Sequence, residues 1–123
     1  MAWKKATEEI NALHSGLVAP YPCERRQMFG FQVFFINNNM FTGIYEDGMI
    51  LRLPTAEQAQ MMAANDEVIP FTPQGRRMNE YVFIPEPVMN NGEFITDWLQ
   101  KSYAYTKALP PKEKKPQKRN KKE

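Results

Sequence analysis

Residues 46–54 read EDGMILRLP, and the fold turns on how Asp47-Gly48 is placed within them. An Asp-Gly pair between two β-forming segments, here MFTGIYE (40–46) and MILRL (49–53), is the strongest short-range signal for a two-residue hairpin loop. With Asp47-Gly48 as a type I′ loop, Glu46 faces Met49, Ile44 faces Leu51 and Thr42 faces Leu53 on one side of the ribbon. Phe41, Gly43 and Tyr45 then share the other side with Ile50 and Arg52. Both sides carry apolar groups, so both need cover: helices on one, and on the other a partner chain.

Upstream, Gly30 and the Asn37-Asn38-Asn39 turn divide the chain into strand candidates at 26–31, 32–36 and 40–46. With 49–53 these form an antiparallel meander. Pro20 and Pro22 keep the preceding connection extended, because proline disfavours helix in the residue before it. Before them Trp3, Ala6, Ile10, Leu13 and Leu17 recur at helical spacing, which predicts an N-terminal helix. Downstream, Thr55 with Gln58 three residues on has the spacing of a capping box and opens a second helix. Residues 66–71 read as extended, FTPQGRR as a Pro/Gly loop, and 81–84 as an apolar strand stopped by Pro85 and Pro87. Ile95, Trp98, Leu99, Ser102 and Tyr105 line one face of a last helix, ending before Leu109-Pro110-Pro111. The expected class is α+β: an antiparallel sheet of about five strands in the order α, three or four β, α, one or two β, α.

The chain has 123 residues, room for one domain with one core. No apolar run approaches the length needed to span a bilayer, and the charged N-terminus MAWKKATEEI lacks the apolar stretch of a secretory signal. One cysteine, Cys23, excludes an intrachain disulfide and fits a reducing compartment, so a cytoplasmic location is expected. The net charge of +2 is unevenly spread. Residues 110–123 hold seven basic side chains (Lys112, Lys114, Lys115, Lys118, Arg119, Lys121, Lys122) against two glutamates, which leaves −3 for residues 1–109. With no aliphatic or aromatic group to bury, this segment is expected to be a disordered basic tail on a body spanning 1–109. Its charge suits either solubility or nonspecific contact with phosphate backbones.

The residues give little support to catalysis. The single histidine, His14, and single cysteine, Cys23, come without a recognisable Asn or Asp partner, and they are too few for a zinc site. Cys23 beside Arg25 and Arg26 reads as a small unreactive thiol. Glu8-Glu9 and Asp66-Glu67 are sequence neighbours whose carboxylates diverge. No phosphate-binding glycine loop, cofactor motif or small-molecule substrate is evident. In the loop containing Gly75, Arg76 and Arg77 are candidate anion contacts, with structural pairing beneath the loop as the alternative. Met28, Met40, Met49, Met61, Met62, Met78 and Met89 read as core filler.

Several short elements together resemble the N-terminal domain of the TfoX/Sxy family: Met28-Phe29-Gly30, Met40-Phe41, Asp47-Gly48 with Leu51-Arg52, Pro70-Phe71, Gly75-Arg76 with Met78, Tyr81, Pro85, and Trp98. The resemblance runs from about Cys23 to Tyr105. It implies a stand-alone member of a bacterial family linked to regulation of competence genes. The implied fold is similar to that of type III secretion chaperones, with helices on one side of an antiparallel sheet. The functional expectation is a non-catalytic module that self-associates or binds a protein partner, with Phe41, Tyr45, Ile50 and Arg52 as anchors on the exposed sheet face. The alternative is a DNA-associated regulator using the basic tail.

Overall fold

A computed structural model describes residues 7–28 and 30–111. Within them six strands form one open antiparallel sheet: β1 Glu24–Met28, β2 Phe31–Ile36, β3 Asn39–Tyr45, β4 Gly48–Arg52, β5 Ile69–Pro70 and β6 Tyr81–Pro85, in the spatial order β1-β2-β3-β4-β6-β5. Four helices accompany it: α1 Glu8–Val18, α2 Thr55–Ala64, α3 Glu86–Met89 and α4 Gly92–Ala108. The first four strands are the expected meander. β6 then docks antiparallel on β4, and the extended segment expected at 66–71 contributes only the two-residue edge strand β5.

The β3–β4 hairpin is present, but its loop is Glu46-Asp47, not Asp47-Gly48. Tyr45 pairs with Gly48, Ile44 with Met49, Gly43 with Ile50 and Thr42 with Leu51. Each β4 partner is therefore displaced by two residues from the expected pairing, and an even displacement leaves side chains on their expected faces. Glu46 supplies the left-handed conformation at φ 52°. Gly48 has another task, since a Cβ there would lie 2.4 Å from Phe83 Cζ and 2.5 Å from the Ile84 carbonyl oxygen. A side chain at this position would collide with β6. At the β2–β3 turn, Asn37 and Asn38 take φ values of 52° and 67°, and Asn39 already pairs with Ile36.

A bulge alters one facing. Phe34 pairs with Thr42 and Phe35 with Met40, so Phe41 has no residue opposite it. Two consecutive side chains of β3 then enter the same layer. Thr42 meets His14 of α1, while Phe41 packs against Tyr21 and Tyr103 and is fully buried.

That layer is the main core. Ile10 and Val18 from α1, Val88 and Met89 from α3, and Ile95, Trp98 and Leu99 from α4 cover Phe34, Ile44, Met49, Leu51, Val82 and Ile84. Full burial of each such side chain contributes about 1.5–3 kcal/mol, which is what fixes the short α3 despite its four residues. The Pro85–Pro87 stop expected from sequence is thus a continuation: Pro87 sits in the first turn of α3, where a missing N–H costs nothing. The α1 N-cap is Thr7, whose Oγ1 accepts from Ile10 N at 3.1 Å; Trp3 and Ala6 of the expected helix lie outside the described residues. For α2, Thr55 is the first helical residue and Pro54 the cap. Gln58 makes no capping box and is buried, donating to the carbonyls of Leu53 (2.8 Å) and Asn79 (2.7 Å).

Candidate interaction site

The sheet face turned away from α1, α3 and α4 is partly roofed by the chain itself. After β5 the segment 71–80 folds back over it. Met78 N bonds to Phe71 O at 2.9 Å, Tyr81 N to Met78 O at 3.1 Å and Phe71 N to Tyr81 O at 3.3 Å. A Pro73–Gly75 3-10 turn sits at its tip. Phe71 then packs with Ile50 and Tyr81 as a second, smaller core, flanked by Met40, Tyr45 and Phe83. The Tyr45 ring meets Phe71 edge-on at 5.0 Å, Phe83 at 6.3 Å and Phe31 at 5.8 Å.

The roof does not fill the space beneath it. A cavity of about 170 Å³ remains between the sheet side chains Met28, Phe31, Val33, Met40, Tyr45 and Ile50 and the loop side chains Phe71, Pro73 and Met78. Its walls are carbon and thioether sulfur almost throughout. Met28 is 40% exposed and Met78 38%, although both line it. These two, with Met40, also border a more open groove reaching Phe35, Asn38, Arg52 and Tyr81. The filler reading of the methionines therefore holds for Met49, Met61 and Met89, all fully buried, and fails for Met28 and Met78.

The four expected anchors do not form one exposed patch. Phe41 lies on the opposite, helix-covered face, carried there by the bulge. Ile50 is on the expected face but buried, covered by Phe71. Tyr45 is half-buried at the cavity wall, and burial, with a smaller contribution from Glu46, raises its phenol pKa. Arg52 is half-buried and held by Glu80, with Nε donating to Oε1 at 2.8 Å and Nη2 2.7 Å from the same oxygen. It lies over Tyr81, whose hydroxyl donates to Met40 O at 3.2 Å and whose pKa is pushed up to about 12, chiefly by burial.

Of the anion candidates, Arg77 turns inward and donates to Gln58 Oε1 at 2.8 Å, which makes it a tie between the loop and α2. Arg76 is exposed, and its backbone N–H closes the turn on Pro73 O. The basic residues Lys112 to Lys122 lie outside the described residues.

His14 and Cys23 do not meet. Cys23 Sγ donates to Tyr21 O at 3.2 Å, and burial raises its pKa. His14 is fully buried with both ring nitrogens occupied: Nε2 lies 3.1 Å from Thr42 Oγ1 and Nδ1 3.0 Å from Gln32 Nε2. Thr42 donates its own hydroxyl hydrogen to Ile50 O at 2.6 Å, so it faces His14 as an acceptor. Gln32 Nε2 is a donor only. The two partners together select the tautomer with hydrogen on Nε2. This polar cluster has a sequence signal, since His14 stands four residues from both Ile10 and Val18, the other buried positions of α1. Among the described residues, no three of His, Cys, Asp and Glu converge as metal ligands, and no helix is long and apolar enough to cross a membrane.

The sequence profile of the TfoX N-terminal domain matches residues 17–106, the span from the end of α1 through most of α4. Comparisons with curated proteins and with solved structures return no match. With the greater part of its length accounted for in this way, the chain belongs to the TfoX N-terminal domain family.

Proposed function

We propose that this domain works as a non-catalytic regulatory module that binds protein, either a second copy or a different chain, through the helix-free sheet face around Met28, Tyr45 and Met78. The observation that supports this reading is the apolar cavity bordered by two large exposed methionines. Flexible thioether side chains at an opening adapt to an apolar anchor from a partner, and such anchors dominate interface energies. A role in control of competence or transcription is the setting that the family resemblance suggests.

The test uses Met28→Glu with Met78→Glu, two exposed positions where a charge is compatible with folding. Light scattering across a concentration range, together with capture from native lysate, is expected to show association by the wild type that the double variant loses while its circular dichroism is unchanged. A monomeric wild type whose captured proteins are the same as those of the double variant overturns the reading.

Charge segregation favours a second reading, with the net +5 of residues 110–123 touching phosphate backbones. Retention on duplex DNA then falls steeply with salt and disappears on deletion of residues 111–123. Salt-insensitive retention, or none, removes it.

A further inference from the structure

We propose that the cavity under the 71–80 loop is a binding site for a small, uncharged molecule built on a single six-membered aromatic ring. Three properties of the cavity lead there. Its volume is about 170 Å³, and apolar protein cavities of about 150 Å³ stay dry and take up benzene-sized molecules. Its chemistry is that of hydrocarbon. Among the described residues no charged side chain lines it, so a carboxylate or ammonium entering would lose its hydration without a partner there, while a neutral ring gives up little. Its walls match a ring in particular. Phe31 and Phe71 contribute aromatic surfaces, and Met40 and Met78 contribute thioethers, which make favourable contacts with ring edges.

The cavity is also formed in advance. The backbone bond from Met78 N to Phe71 O holds the loop wall in place, so little ordering accompanies occupancy. The unbranched Met78 side chain, partly in solvent, can swing to admit a ligand. The inference is independent of any protein partner, and an occupant would lie directly under the surface of the preceding proposal, where it could tune that surface.

The full chain labelled with ¹³C at the methionine methyls supplies eight reporters. On titration with toluene, the Met28, Met40 and Met78 signals are expected to shift together and saturably below the aqueous solubility limit. Those of the core residues Met49, Met61 and Met89 are expected to stay in place. Benzoate, the charged isostere, is expected to bind at least tenfold more weakly. Ile50→Phe fills the cavity and should abolish the response. Should that variant fail to fold, Met78→Trp, at an exposed position, closes the mouth and should weaken binding at least fivefold. Non-saturating shifts, shifts spread evenly over all eight methionines, equal binding of benzoate, or an unchanged titration in a folded blocking variant overturns the proposal.

Discussion

Lowering the pH from 7 to 5 is expected to remove about 2 kcal/mol of stability through His14. Burial pushes the pKa of this fully enclosed ring from 6.5 down to about 3. The hydrogen-bond pattern agrees, because a proton added at Nδ1 would point at the amide donor of Gln32. The unfolded chain takes up a proton below about pH 6.5 that the folded chain refuses until about pH 3. The stabilising contribution is therefore complete above the unfolded value and is lost as the pH falls. Across the whole span the loss is about 5 kcal/mol, with about 2 kcal/mol of it gone by pH 5. That window is informative because side-chain carboxylates titrate near pH 4 and this is the one histidine in the chain. Urea unfolding at pH 7, 6 and 5 measures the slope. His14→Gln keeps hydrogen-bonding capacity toward Thr42 and Gln32 without a titrating group. It should be less stable at pH 7 but nearly flat across the window. A wild type equally stable at pH 7 and 5, or a variant with the wild-type slope, refutes the reasoning.

Gly48→Ala is expected to cost about 3 kcal/mol, because its Cβ would collide with a backbone carbonyl as well as the Phe83 ring. Gly43→Ala, whose nearest clash is the Val33 side chain, should cost less, about 1–2 kcal/mol; equal urea midpoints for the two would contradict the close β4–β6 approach. At the Asn37-Asn38 turn, Asn37→Val should cost about 1 kcal/mol in thermal unfolding and Asn37→Gly much less, since only the former resists φ 52°. The Cys23 thiol should react with an aromatic disulfide reagent more slowly than free cysteine at pH 8 and regain the ordinary rate in urea; a folded-state rate matching free cysteine would show that burial does not hold its pKa up.

Sheet and helices were legible where one periodicity dominated, as in 40–53 and in the last helix. Sequence alone puts the hairpin pairing two residues off because glycine after aspartate signals a turn, whereas here the glycine serves strand contact and a glutamate bears the positive φ. Strand alternation assigns Phe41 to the wrong face, because alternation cannot reveal a bulge, which depends on the neighbouring strand. α3 was hidden by two prolines that are compatible with a helix start. The candidate site was harder still. Tyr45 and Arg52 could be assigned to a face, but the loop that covers Ile50 and leaves the cavity comes from 20 or more residues further along the chain. That fold-back leaves no periodic trace, so Met28 and Met78 looked like any other methionines.

The two borders of the sheet are unequal. On one side β5 has only two residues, one of them a proline without an N–H to offer. On the other, β1 presents five exposed or half-exposed residues, with Glu24, Arg25 and Arg26 among them. Lateral growth by strand addition is thus open in a single direction. Two chains joined border to border at β1 would consume both available edges, so such an assembly ends at a pair instead of running on into a fibre.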